Sequence, residues 1–234
     1  MHTQLQLILT PEQAERPELL QKKVAEKLEI SVQQITRLRT LKKSIDARSY
    51  QPKINITVEV YVDEAAPESH YESFDYQFVG DKEPVLVIGA GPAGLFAALK
   101  LIEQGLKPIV LERGKGASQR KHDIAQLNLN KGFNPESNYC FGEGGAGTFS
   151  DGKLYSRSKK KGNLQRIYEI FHYHGAAEDI LFEAHPHIGS DKLPMIVENI
   201  SKTITKSGGE IHFEQKLSEI IIENNAVKGC VRSF

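Results

Sequence analysis

The chain has 234 residues, enough for one large domain or two small ones, with a core that needs no disulfide or metal staple. Its 30 Lys and Arg balance 30 Asp and Glu, so the formal net charge is zero and nothing pulls it globally toward nucleic acid or an anionic membrane. Its two cysteines, Cys140 and Cys230, lie far apart, which excludes a disulfide framework and a CxxC pattern and points to a reducing cytoplasm.

Leu5, Leu7 and Leu9 alternate along residues 4–9, which predicts a short strand. That apolar stretch is too short for a secretory signal and has no basic lead, and no run is long enough for a membrane span. Leu20, Val24 and Leu28 recur at helical spacing. Ser31 and Gln34 form a capping-box pattern, which predicts a second helix carrying Ile35, Leu38 and Leu41. Ile54, Ile56, Val58 and Val60 then alternate with polar residues as a half-buried strand. The order β-α-α-β predicts a small α/β domain ending near Asp63. Arg37, Arg39, Lys42, Lys43 and Arg48 read either as a solvated helix face or as a patch for nucleic acid or another acidic partner. The many acids nearby favour the solvated face. Residues 64–84, with Tyr71, Phe74, Tyr76 and Phe78, read as a connecting arm ending at Pro84.

Val85-Leu86-Val87-Ile88 then runs into Gly89-Ala90-Gly91-Pro92-Ala93-Gly94, followed by a helix-like run to Gln104. A second apolar run, Pro108-Ile109-Val110-Leu111, ends in Glu112. Strand, glycine turn, helix, strand and terminal acid are the layout of a dinucleotide-binding βαβ unit. Gly89 allows the tight turn, Gly91 lets backbone approach a pyrophosphate, and Gly94 lets helix and strand pack closely. The helix N-terminus offers unpaired N–H groups to the phosphates, and Glu112 is placed to accept hydrogen bonds from a ribose. Pro92 suits the first helical position, and Gly105 is placed to end the helix. The same residues suit an NAD-binding protein without flavin, or a non-catalytic binding module.

Ser118 to Leu129 has helical character, and residues 132–153 are rich in glycine and small polar residues. Within Phe141 to Leu154, Gly144, Gly145 and their neighbours leave backbone able to lie against a flat ring or wrap a phosphate. Thr148 and Ser150 add hydroxyls, and Lys153 a cation able to offset negative charge. Cys140 beside this segment reads as a small buried residue. Leu164 to Phe171 is helical, and Ser190 is placed to cap an amphipathic helix with Leu193, Ile196, Val197, Ile200 and Ile204 on one side. Gly208-Gly209 ends it, Glu210 to Phe213 reads as a strand, and Leu217 to Ile222 with Ala226 to Val231 as a hairpin turning at Asn224-Asn225. His172-Tyr173-His174 and His185-Pro186-His187 each place two imidazoles two apart, which on a strand would suit a metal. No cysteine or acid cluster supports that, and no metal is assigned.

The pair Gly89 to Gly94 with Leu111-Glu112-Arg113-Gly114 resembles the glutathione-reductase-like superfamily of Rossmann flavoproteins. Phe141 to Leu154, together with His185 to Leu193, resembles a narrower bacterial group, the FAD-dependent or NAD(FAD)-utilising dehydrogenases. The N-terminal appendage of that group resembles residues 1–80 here, including Arg39 to Arg48. The resemblance covers nearly the whole chain. It implies an α/β fold with a Rossmann-type FAD-binding βαβ domain over residues 81–234, preceded by a small α/β domain over residues 1–80. It implies an FAD-dependent oxidoreductase whose flavin accepts a hydride from NAD(P)H or an organic substrate. By the resemblance Gly89, Ala90, Gly91, Pro92, Ala93 and Gly94 hold the FAD pyrophosphate, Glu112 the adenosine ribose, and Arg113 lies beside the adenine. Gly144, Gly145, Thr148 and Ser150 contact the pyrophosphate or the flavin side, and the backbone of Lys216 and Leu217 meets the adenine. No catalytic acid or base is named. The superfamily also carries a later Gly-Asp motif for the ribityl chain, which this sequence does not show before Phe234. The expectation is an N-terminal portion of a longer enzyme, incomplete in the β-meander, which binds ADP nearly as well as FAD and self-associates at an exposed strand edge. A small-molecule substrate and a cytoplasmic setting, without membrane or nucleic-acid partners, complete the reading.

Overall fold

The computed structural model describes residues 1–67, 73–154 and 162–233. Tyr71 and Phe234 lie outside the described residues. The chain divides into two compact units, each taken by itself below. One comprises Met1–Glu72, Leu154–His172 and Ala177–His187; the other comprises Ser73–Lys153, Tyr173–Ala176 and Ile188–Phe234.

The first unit opens with β1 (His2–Leu9), α1 (Pro11–Glu15) and α2 (Pro17–Leu28). Thr10 and Gln13 cap α1 reciprocally: the Gln13 N–H donates to the Thr10 hydroxyl at 3.3 Å, and the Thr10 N–H to the Gln13 side chain at 3.0 Å. β2 (Ile35–Asp46) and β3 (Lys53–Val62) complete an antiparallel sheet in the order β1-β3-β2. β3 is central, and its Ile56, Val58, Val60 and Val62 share a core with Leu7 and Leu9 of β1 and Leu20 and Val24 of α2.

The segment after Ser31 departs from its sequence pattern. The Ser31 N–H does donate to the Gln34 side chain at 3.0 Å, but this closes one 3-10 turn, Val32–Gln34, rather than a helix. Ile35, Leu38 and Leu41 then lie on β2, a strand, so the order is β-α-α-β-β. β-Branched residues at Ile35, Thr36, Thr40 and Ile45 suit a strand, and pairing along β3 outweighs the local capping signal. Arg37, Arg39, Lys42 and Lys43 therefore lie on a strand, and Arg48 just past its end. Arg39 Nη1 lies 3.9 Å from Glu59, and Arg37 donates to the Pro67 carbonyl at 2.8 Å. Arg48 hydrogen-bonds Asp46 at 2.7 Å and draws its carboxyl down to about 2. The segment Phe182 to Ala184 joins this unit beside β2. The Lys43 N–H donates to the Phe182 carbonyl at 2.8 Å, and Ala184 returns a bond to Lys43 at 2.9 Å.

The second unit is built on β4 (Pro84–Ile88), α3 (Pro92–Glu103), β5 (Lys107–Leu111) and β6 (Glu210–His212). The three strands form a parallel sheet in the order β4-β5-β6, which joins residue runs about a hundred positions apart in sequence. α3 buries Leu95, Ala98, Leu99 and Ile102, and packs against α6 (Leu193–Lys206). α6 buries Leu193, Ile196, Val197, Ile200 and Ile204, the apolar side that its sequence periodicity predicts. Ser190 is not its cap. The helix starts from Lys192 with no side-chain cap, and Pro194 sits in the first turn, where a missing N–H costs nothing. α4 (Ala117–Asn128) follows β5, whereas α5 (Leu164–Tyr173) belongs, up to His172, to the first unit. β7 (Lys216–Glu223) and β8 (Ala226–Ser233) form the expected hairpin. Asn224 and Asn225 both take positive φ, 53° and 60°, which fits a type I′ turn. Among the described residues, no helix is long and apolar enough to cross a membrane.

Candidate nucleotide-binding site

β4 runs into Gly89, whose φ of 92° is open to glycine alone at little cost, and whose N–H donates to the Leu111 carbonyl at 2.7 Å. Gly91 precedes Pro92 as the cap residue of α3, so the first turn of the helix leaves N–H groups without intrahelical partners just beyond the sheet edge. Gly94 packs so tightly that a Cβ there would overlap the Gly89 carbonyl oxygen. That is the close helix-to-strand approach expected of it.

The second glycine segment lies directly on the first. The Gly144 N–H donates to the Ala90 carbonyl at 2.7 Å. A Cβ on Gly145 would stand 3.4 Å from Gly91 Cα and 3.3 Å from Pro92 Cδ. Two segments about fifty residues apart in sequence thus meet at the N-terminus of α3.

Glu112 ties them together. It is buried, and its Oε2 accepts the Ala90 N–H at 2.7 Å, while Oε1 accepts the N–H groups of Gly114 at 2.8 Å and Gly142 at 3.0 Å. One carboxylate therefore holds the first glycine turn, the loop after β5 and the second glycine segment. A carboxylate offers about four acceptor positions, so one remains on Oε2.

Beside it lies a cavity of about 360 Å³. Gly89, Gly91, Glu112, Arg113, Gly145, Lys216 and Leu217 line it, together with Ile88, Leu111, Cys140, Phe141, Gly142 and Gln215. This size suits the ADP half of a dinucleotide. Arg113 stacks its guanidinium 4.0 Å over the Phe141 ring and hydrogen-bonds Glu136. Lys216 reaches the other oxygen of Glu136 at 3.3 Å. The Arg113 hydrogen bond, with help from Lys216, holds the Glu136 carboxyl below the usual range. Cys140 is exposed on the cavity wall, not buried as its neighbourhood in sequence suggests.

Ala90, Pro92, Ala93, Gly94, Gly144, Thr148, Ser150 and Lys153 do not line the cavity. The Thr148 hydroxyl is buried and donates to the Glu143 carbonyl at 3.0 Å, and the Ser150 hydroxyl donates to Gly147 at 2.7 Å. Lys153 is exposed and pairs with Asp151 at 2.7 Å. His172 ends a helix instead of lying on a strand, and His174 Nε2 meets the Thr203 hydroxyl at 3.1 Å. Among the described residues, no three His, Cys, Asp or Glu side chains cluster as metal ligands.

Two organising side chains carry no sequence signal of their role. Arg120, in a polar stretch of α4, is fully buried. It donates to the carbonyls of Asn138 at 2.7 Å, Tyr139 at 2.9 Å, Glu143 at 2.8 Å and Gly142 at 3.4 Å. Burial pushes its guanidinium down from its ordinary value, against the pull of Glu112, Cys140 and Glu143. Glu143, also buried, accepts the Ala117 N–H at 2.6 Å at the start of α4, and the Ser201 hydroxyl of α6. Together they fold the second glycine segment into a fixed shape over the first.

Residues 84–126 match a family model described as an FAD binding domain, and residues 1–61 match one described as a domain of unknown function (DUF8436). The FAD-binding match includes the glycine turn, Glu112 and Arg113, and it supports FAD binding by this region. A protein from Clostridium beijerinckii, described only as uncharacterized, is 35% identical over 228 residues, covering 91% of this chain and 43% of that protein. A thiamine thiazole synthase from Aeropyrum pernix is 25% identical over 174 residues, covering 74% of this chain and 51% of its own. The chain spans about half the length of the curated relatives it matches. Among solved structures, the L-amino acid deaminase from Proteus vulgaris aligns over 69% of this chain and 48% of its own, at 13% identity and a TM-score of 0.31.

Proposed function

We propose that this chain is the FAD-binding part of a flavin-dependent oxidoreductase, with the nucleotide site in residues 81–234 as a Rossmann-type unit. The observation that carries the reading is the joining of two glycine segments at the N-terminus of α3, beside a cavity bordered by Glu112, Arg113 and Lys216. The match of residues 84–126 to an FAD binding domain supports it. In this reading the backbone of Gly89 to Gly94 and Gly145 meets the pyrophosphate, helped by the partial positive charge at the start of α3. The remaining acceptor position on Glu112 Oε2 takes a ribose hydroxyl. Arg113, Lys216 and Leu217 border the adenine. Gly144, Thr148 and Ser150 set the backbone of the second segment, and Lys153 faces the flavin side. A bound flavin would supply the redox chemistry, with NAD(P)H or an organic substrate as hydride donor, and the residues named here would bind and orient it.

Gly91→Val tests the reading. The nearest atom to a Cβ there is Gly145 Cα at 4.0 Å, and the backbone needs no positive φ, so the fold should survive. The side chain would instead occupy the pyrophosphate path. The expected result is loss of ADP and FAD binding by calorimetry, with a near wild-type melting temperature. Binding at wild-type strength in the variant would remove the assignment. A purified wild-type chain that binds NAD but gives no flavin absorbance with FAD would transfer it to an NAD-binding protein.

A further inference from the structure

Glu136 does not line the nucleotide cavity, yet it grips two side chains that do. Arg113 donates its Nε–H to Oε2 of Glu136 and brings Nη2 to the same oxygen, and Lys216 reaches Oε1 at 3.3 Å. Both cations border the cavity together with Glu112. On its flat face the Arg113 guanidinium lies 4.0 Å over the ring of Phe141, another cavity residue. Arg113 is thus fixed along one edge by a carboxylate and across one face by an aromatic ring. Lys216 braces that carboxylate through its other oxygen.

Arg113 has room to leave this place. A second cavity, of about 270 Å³, is also bordered by Arg113 and Lys216, and Glu136 lines this one. A long side chain between two open spaces keeps many rotamers unless a partner selects one. The carboxylate also changes what Arg113 can bind. Between two cations it leaves one net positive charge instead of two, and a guanidinium already paired along its edge is a poor ligand for phosphate. Its plane still suits the flat face of a base. The diphosphate has the glycine turn and the start of α3 instead. Resting on the nucleotide-binding reading above, we propose that Glu136 is a positioning residue: it holds Arg113 in the wall of the nucleotide cavity, where the guanidinium meets the base, and keeps it out of the neighbouring cavity.

The experiment is calorimetric titration of the wild-type chain, Glu136→Ala, Arg113→Ala and the double variant with ADP, and with AMP by competition. Melting temperatures of the ligand-free proteins accompany it. Glu136 is partly exposed, so those temperatures should stay close to the wild type. Glu136→Ala should bind ADP about threefold to tenfold more weakly, although it loses a negative charge that repels a diphosphate. Arg113→Ala should lose at least as much. The double variant should bind no more weakly than Arg113→Ala, because Glu136 acts through Arg113. The factor should be the same with AMP, since the base is common to both nucleotides. Losses that multiply in the double variant would overturn the proposal, as would unchanged or tighter ADP binding in Glu136→Ala, or unchanged binding in Arg113→Ala. A loss that vanishes with AMP would assign Arg113 to the terminal phosphate and overturn it too. Each of these results leaves the glycine-turn site standing. No ADP or FAD binding by the wild type would remove the site and this proposal together.

Discussion

Glu112→Ala is expected to destabilise the chain by about 3–6 kcal/mol in chemical denaturation, more than the loss of one ligand contact would explain. The substitution strips the acceptor from three backbone N–H groups, those of Ala90, Gly114 and Gly142, around a buried carboxylate. Each such group left unpaired costs about 1–3 kcal/mol. Against a total stability of about 5–15 kcal/mol for a typical domain, that is a large fraction. Glu112→Gln keeps one oxygen but turns an amide NH2 toward a backbone N–H, so it should fall between the two. Denaturation curves of both variants, taken without ligand, are the check. A Glu112→Ala chain that unfolds at the wild-type midpoint would show that the carboxylate serves the ligand alone.

Arg120→Met should cost a similar amount, on the order of 3–5 kcal/mol, through the second glycine segment. Methionine replaces much of the aliphatic stem but none of the donors to Asn138, Tyr139 and Glu143. The carbonyls then face a buried apolar side chain. Arg120→Lys should rescue little, because a single ammonium cannot present donors along the planar fork that reaches all of these carbonyls. Limited proteolysis followed by mass spectrometry should show new cleavage between residues 134 and 145 in both variants. Wild-type protease resistance in Arg120→Lys would mean that the charge matters here and the fork does not.

The βαβ unit was legible because every part of it is local. Strand, glycine turn, helix, strand and acid occupy one continuous stretch, and the glycines mark positions that only backbone geometry explains. The strand β2 was not legible. Ser31 and Gln34 do make the expected reciprocal contact, but nothing in their spacing says whether one turn or three will follow. The pairing of Ile35 to Asp46 with β3 decides that, and it is a tertiary fact. The start of α6 was misplaced because Ser190 is a good cap by type, whereas Pro194 and the chain path from Gly189 set the first turn. Within the site, the sequence separates what it can say from what it cannot. Glycine at 89, 91 and 94 and an acid at 112 announce themselves by residue type and spacing. Arg120 sits among Gln119, Lys121 and His122 and reads as one more solvated charge, although it is fully buried.

The arrangement around Glu112 also has a bearing on motion. Glycine-rich loops ordinarily exchange their amide hydrogens quickly, because small residues bury little and the backbone opens locally. Here the amides of Ala90 and Gly142 belong to such loops, 22 and 30 positions from Glu112, yet both are held by its carboxylate, as is that of Gly114. When that carboxylate swings away, all three amides lose their acceptor in the same event. They therefore share one opening free energy, set by the burial of Glu112 and not by the sequence of any single loop. Three separate turns are thereby expected to open as one cooperative element, with a slow common deuterium-uptake rate against the fast background of their glycine neighbours.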